Sequence, residues 1–305
     1  MLDGLTLDQL RTLVAVAETG SFSAAGRQLG RVQSSISQSI QTLEQQLGVS
    51  IFDRNGRTPK LTDIGRALLG DAVEVLAHAG ALRERARLIA SGVEPELTIA
   101  ADSVFPSQPL AASLRTMQDL FPGLPVKLYT EVIGTAEKRL RDGDAQVAFY
   151  AFPFFPTGGR EGRPLTDIPM IPVASSSHPL AAYGRPLTRR DLEAHVQLIL
   201  TDGKPGPPVG ANGVVSPKIW RFADLARRLD FLLEGLGWGS MPTHMIADHL
   251  ATGRLVELPL VDPTMTLKQI SIYAVYMRAN PPGLAGRWLI EDLAQRLGAS
   301  PSAGA

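Results

Sequence analysis

Residues 21–47, SFSAAGRQLGRVQSSISQSIQTLEQQL, constrain this chain more than any other stretch. Two short helical patterns meet there across a tight break, as in a helix-turn-helix. Ser21 is an N-cap for a helix over residues 22–29, Ala24, Ala25 and Gly26 allow close crossing by a second helix, and Gly30 stands where a helix-ending glycine belongs. In the second helix Ile36, Ile40, Leu43 and Leu47 recur at helical spacing and are expected to point inward. Gln33, Ser34, Ser37, Gln38 and Gln41 fall on the opposite side. Such side chains read base edges when a helix lies in the major groove, glutamine by bidentate bonding to adenine. A solvated amphipathic helix has the same composition, but the capped, glycine-terminated helix before it favours a DNA reader.

The flanks fit that reading. A first helix is predicted over residues 6–19, opened by a Thr6/Gln9 capping box, with Leu10, Leu13, Val14 and Ala17 inward. After Gly48, residues 50–52 and 59–61 read as two short strands around Arg54-Asn55-Gly56-Arg57, and Asn-Gly is a hairpin signal. This wing would bring Arg54, Arg57 and Lys60 to phosphate or the minor groove, with Arg31 as a further backbone contact. A solvated basic turn is the competing reading, and Phe52 reads as core. Residues 1–62 hold six Lys/Arg and five Asp/Glu, so any DNA contact depends on local placement of charge.

Thr62 then caps a helix expected to run to about residue 90. Gly65, Ala72, Ala79 and Ala86 recur every seven residues, as do Leu68, Val75, Leu82 and Ile89. Alternating small and large residues suggest two helices packed closely. Packing onto its own domain is the alternative, and dimerisation is preferred because a dimeric reader spans two half-sites.

Residues 5–66 closely resemble the N-terminal winged helix-turn-helix of LysR-type transcriptional regulators. The matching residues include Leu10, Val14, Glu18, the run Gly20-Ser21-Phe22-Ser23-Ala24-Ala25, Leu29, Gln33, Ser37, Leu43-Glu44, Leu47-Gly48, Phe52, Arg54, Leu61-Thr62 and Gly65. Two departures are Val32, where the family usually has Ser or Thr, and Gln38, where Arg is frequent. The resemblance implies a linker helix that pairs two subunits, tetramers built from dimers, and action near the protein's own gene.

Residues 91–95, Ser-Gly-Val-Glu-Pro, read as a hinge. Beyond it strands and helices alternate, which predicts an α/β domain with a largely parallel sheet. Strands are expected at 97–101, 126–131, 146–150, 170–174, 197–201, 255–258 and 265–276. Helices are expected at 109–120, 135–141, 188–194, 222–236, 244–252 and 286–297. Residues 153–169 and 203–217 read as loops. Phe121-Pro122, Leu140 through Gly143, His178-Pro179-Leu180, Gly235-Leu236-Gly237, Met241-Pro242 and Gly253-Arg254-Leu255 resemble turns of LysR-type effector domains. That resemblance implies two lobes joined by crossing strands, like a periplasmic binding protein. Gln146 departs from the family's usual Asp.

The expected organisation is therefore multi-domain α+β: a winged helix-turn-helix over 1–62, a linker and dimerisation helix over 63–91, and an effector-binding domain over 95–305. Lobe I would take 95–168 and 268–298, and lobe II 169–267. By family analogy a small-molecule effector sits between the lobes, near Asp102, Ser103, Gly134, Thr135, Phe149, Tyr150, Thr201 and Asp202. Turn and capping roles are the bland alternative for each, and Asp102 would disfavour a carboxylate beside it.

Other classes find little support. The chain of 305 residues has no cysteine, which excludes disulfides and a thiol switch. Its N-terminus lacks the pattern of a signal peptide, and no stretch approaches eighteen apolar residues, so a cytoplasmic protein with no membrane partner is expected. The five histidines show no HExxH pattern, and there is no Gly-x-Ser-x-Gly, Walker or Rossmann fingerprint. Gly235-Leu236-Gly237-Trp238-Gly239 follows a helix and reads as a turn; Trp220, Trp238 and Trp288 read as packing residues. No metal, cofactor or catalytic residue is expected. The favoured reading is a DNA-binding regulator whose partners are double-stranded DNA, an effector, further copies of itself and RNA polymerase. A ligand sensor with a weak or architectural DNA reader is the alternative, and an α/β enzyme with an accessory DNA domain a third.

Overall fold

The computed structural model describes residues 4–53, 58–132, 134–151, 159–201 and 213–298. The chain divides into two compact units at Arg87/Leu88. In the first, α1 (Leu7–Thr19), α2 (Phe22–Leu29) and α3 (Gln33–Leu47) precede β1 (Phe52–Asp53), β2 (Lys60–Leu61) and the long α4 (Asp63–Ala90). The Thr6/Gln9 capping box forms, Ser21 accepts from the Ala24 amide, and Gly20, Gly30 and Gly48 end the three helices in the left-handed region. Ile36, Ile40 and Leu43 are fully buried.

Three inward assignments change. On α1, Ala15 and Val16 are buried while Val14 and Ala17 are only half-buried. This helix packs against both α2 and α3, which turns its buried arc. Leu47 is exposed, because the chain reverses at Gly48 immediately beyond it. Third, the start of α4 belongs to its own unit rather than to a seam. A Cβ on Gly65 would lie 2.1 Å from the Ile51 carbonyl oxygen. Ala72 is buried, and Leu68, Leu69 and Leu76 pack on the same core. Farther along, Val75, Leu82 and Ile89 are exposed, Leu82 at 71%.

The second unit is built on a mixed sheet. Its elements in order are β3 (Leu97–Asp102), α5 (Ser107–Leu120), β4 (Val126–Glu131), α6 (Thr135–Asp142), β5 (Val147–Ala151), β6 (Arg160–Ser175), α7 (Arg189–Glu193), β7 (Gln197–Leu200), β8 (Ile219–Phe222), α8 (Leu225–Leu233), β9 (Trp238–Pro242), α9 (Thr243–Ala251), β10 (Leu255–Glu257), β11 (Gln269–Met277) and α10 (Leu284–Arg296). The strand order is β4-β3-β5-β11-β6-β9-β7-β8, with β10 also on β6. β3 runs parallel to β4 and β5, and β7 parallel to β8 and β9. The long strands β6 and β11 pair antiparallel and join the two parallel groups.

Several expectations are corrected here. The sheet is mixed, because β6 and β11 cross between its halves. Residues 160–169, read as loop for their Pro and Gly, are strand, held by pairing with β11 from Arg160 to Pro169. Residues 219–222 pair with β7, so α8 starts at Leu225 behind the N-cap Asp224. The glycine-rich stretch turns at Gly235 and then enters β9. Cβ atoms on Gly237 and Gly239 would lie 2.5 Å from the carbonyl oxygens of Val196 and Leu198, so these glycines permit close strand approach. Trp238 is fully buried, its indole donating to the Leu192 carbonyl, whereas Trp220 is exposed on β8, the last strand of the sheet. Gln146 pins the start of β3, accepting from the Thr98 amide at 2.7 Å and donating to the Glu96 carbonyl at 3.1 Å.

The hinge read from composition is anchored. Val93 and Glu94 are buried, and the Glu94 carboxylate accepts from the amides of Ala285 (3.0 Å) and Gly286 (2.8 Å) in the first turn of α10. That helix has no side-chain cap of its own. Glu94 takes that role from far away in sequence, aided by the helix dipole. Glu94→Ala should destabilise the second unit by about 3 kcal/mol, since it removes two charge-assisted bonds and leaves buried amides unpaired. Urea unfolding followed by tryptophan fluorescence checks this.

Candidate nucleic-acid interface and effector site

The DNA reader is assembled from α2, the turn at Gly30 and α3. A Cβ on Gly26 would lie 2.6 Å from the Arg31 carbonyl oxygen, and the Arg31 amide donates to the Gly26 carbonyl at 2.7 Å. The small residue thus lets the turn close against α2. Phe22 meets Phe52 edge to face with centroids 5.8 Å apart, tying α2 to the wing strands. Glu44 braces the other side, accepting from the Ile51 and Phe52 amides at 2.8 and 3.1 Å. Sequence reasoning matched Glu44 to the family without finding this role.

On this frame Gln33, Ser34, Gln38 and Gln41 are exposed and Ser37 is half-exposed. Val32 precedes α3 and gives it no side-chain cap, as the departure from Ser/Thr implies. The first amides of α3 are left to solvent or to an anion. Lys60 is exposed on β2. Arg31 is not a free cation: its guanidinium bonds Asp8 at 2.6 Å, so a phosphate would compete with that carboxylate. Arg27, exposed in the last turn of α2, bonds the Ser23 hydroxyl and adds a basic group near the turn. Arg54 and Arg57 lie outside the described residues.

The residues expected at an effector site separate. Ser103 borders a cavity of about 550 Å³ within the second unit, with Phe105, Ser107, Thr166, Asp167 and His244 also on its wall. Phe149 lies in the core beneath, stacked on Phe105 at 4.9 Å. Asp102 and Tyr150 are buried at the carboxyl ends of β3 and β5. Burial pushes the Asp102 carboxyl up to about 7, with the Ala151 amide opposing and Glu131 adding to the rise. Burial, followed by nearby Glu137, pushes the Tyr150 phenol up to about 12. Gly134 precedes α6 at φ 85°, and the Thr135 hydroxyl donates to the Val132 carbonyl. The buried Thr201 donates its amide to the Phe222 carbonyl. Asp202 lies outside the described residues. Among the described residues no group of acidic, His or Cys side chains could hold a metal ion, and no helix is long and apolar enough to cross a membrane.

Comparison with known proteins agrees along nearly the whole chain. The family model described as the bacterial regulatory helix-turn-helix protein, lysR family, matches residues 7–66, and that of the LysR substrate binding domain matches residues 90–298. The chain is 30% identical over 299 residues to the probable HTH-type transcriptional regulator YhaJ of Escherichia coli, spanning 95% of this chain and 96% of that one. It is 29% identical over 285 residues to the HTH-type transcriptional regulator AceR of Acinetobacter baumannii, spanning 93% and 95%. A solved structure of Corynebacterium glutamicum OxyR, a C206 mutant, superposes with a TM-score of 0.54 at 26% identity, covering 96% of this chain and 91% of that one. With a DNA reader at one end and a substrate-binding domain at the other, the chain belongs to the LysR family and is a DNA-binding transcriptional regulator, not an enzyme.

Proposed function

We propose that this regulator reads a two-fold operator as a dimer, with α3 in the major groove and Gln33, Ser34, Ser37 and Gln38 against base edges. The observation that carries this is the division of α3: Ile36, Ile40 and Leu43 fully buried on one side, the amides and hydroxyls open on the other. Its uncapped first turn suits a phosphate, and Lys60, Arg54 and Arg57 supply wing contacts. The free apolar stripe Val75, Leu82 and Ile89, with Ala79 and Ala86 between, pairs with the same stripe of a second copy and sets the spacing of two readers. An effector in the C-terminal domain, near the carboxyl ends of β3 and β5, biases the arrangement of subunits in a dimer or tetramer. That in turn alters DNA bending or contact with RNA polymerase.

Replacing Ser37 and Gln38 by alanine should weaken operator binding by about 1–3 kcal/mol for each base edge no longer read. Non-specific binding should stay level, since phosphate contacts carry it. Titration on the protein's own upstream DNA against a scrambled duplex measures both. Equal affinity of wild type and folded variants for the operator would reject the assignment.

A further inference from the structure

We propose that the effector of this chain presents a primary ammonium group to Asp102, with the Ser103 hydroxyl as a second acceptor. This rests on the effector reading above and adds the chemical class of the ligand. The parallel strands β3, β4 and β5 end side by side, with Asp102 opposite Glu131 and Ala101 opposite Phe149 in the register. Three carboxyl groups and two guanidinium groups gather around these ends. Arg139 pairs with Glu131, and Arg160 pairs with Glu137 close to the Tyr150 phenol. Asp102 has no such cation among the described residues. One of its oxygens takes the Ala151 amide; Oδ1 has no hydrogen-bond partner, nor has the Ser103 hydroxyl oxygen.

Asp102 is only 2% exposed. Buried polar atoms are nearly always paired, and an exception in a folded protein points to a group supplied from outside. The ionised Asp102 oxygen can only accept and the Ser103 hydroxyl can accept as well as donate, so a group with several donors satisfies both open atoms. A positive charge on it would also stabilise the ionised form of this buried carboxyl. A primary ammonium supplies both in one compact head with three donors. A ligand carboxylate would meet Asp102 and Glu131 together.

The sign of the pH dependence separates the classes. Asp102 faces Glu131 from β4 and Tyr150 from β5, with Arg160 and Glu137 beyond the phenol. Tyr150 is pushed up to about 12, and Asp102 to about 7. An alkylammonium keeps its charge at pH 6 and pH 8 alike. Its affinity should therefore rise about tenfold between these pH values as Asp102 loses its proton. A carboxylate held by a protonated Asp102 would show the reverse.

The test is calorimetric titration of the full-length protein with butylamine, benzylamine, 1,4-diaminobutane and amino acids, beside butyrate, benzoate and butanol. We expect binding among the amines, about tenfold tighter at pH 8 than at pH 6. Asp102→Asn should weaken it at least tenfold and flatten the pH step, as expected for loss of a charged hydrogen bond. The wild-type pH profile needs no variant, so it stands even if Asp102→Asn folds poorly. Binding by acids or the alcohol alone, amine binding indifferent to pH, or no amine binding would each overturn the proposal. An acid that binds and changes the DNA footprint would leave the effector reading intact; no binding by any class would remove both.

Discussion

Gly65→Ala is expected to lower the melting temperature of the N-terminal unit by about 12–24 °C while leaving the C-terminal unit where it was. The added Cβ would sit 2.1 Å from the Ile51 carbonyl oxygen and 3.0 Å from its carbon. Backbone cannot yield as a side-chain tip does, so α4 or the wing strand must move. A cost of about 3 kcal/mol is at the upper end for overpacking, and a domain this small loses about 4–8 °C per kcal/mol. Trp220, Trp238 and Trp288 all lie in the second unit, so fluorescence follows that unit alone. Far-UV circular dichroism follows both. An unchanged first transition would contradict the close approach of α4 to Ile51.

Val75→Asp combined with Leu82→Asp should leave a folded monomer that binds a two-fold operator at least about 100-fold more weakly. Both side chains are exposed, at 45% and 71%, so the substitutions cost the isolated chain little. In a paired seam each carboxylate would lose its water against apolar neighbours, at several kcal/mol per charge. Sedimentation velocity reads the mass and a gel-shift titration the affinity. A dimer of unchanged strength would place the subunit contact away from this stripe.

The N-terminal unit was legible in sequence because local signals agree there. Ser21, Gly30, Gly48 and the 36-40-43 spacing each act over a few residues, and the structure uses all of them. Leu47 misled because periodicity does not say where a neighbouring element stops. The heptad of α4 misled in its first half for a related reason: Gly65 and Ala72 fit a seam equally well, and only the fold brings Ile51 against them. In the C-terminal unit, Pro and Gly in 160–169 masked a strand whose pairing with β11 lies about a hundred residues away. Glu94 looked like hinge because its partners, Ala285 and Gly286, are more remote still. At the effector site Asp102 was picked out by type and position, while its burial and its open oxygen depend on three strands ending together.

The measurement that bears most directly on the central claim is a DNase footprint of the purified protein on its own upstream DNA, at two salt concentrations, with excess non-specific duplex. Sequence-selective reading by a paired α3 predicts protection of a two-fold site with half-sites about one helical turn or a multiple apart, surviving the competitor. Protection that spreads over all sequences and vanishes uniformly as salt rises would contradict it, because only phosphate contact would remain.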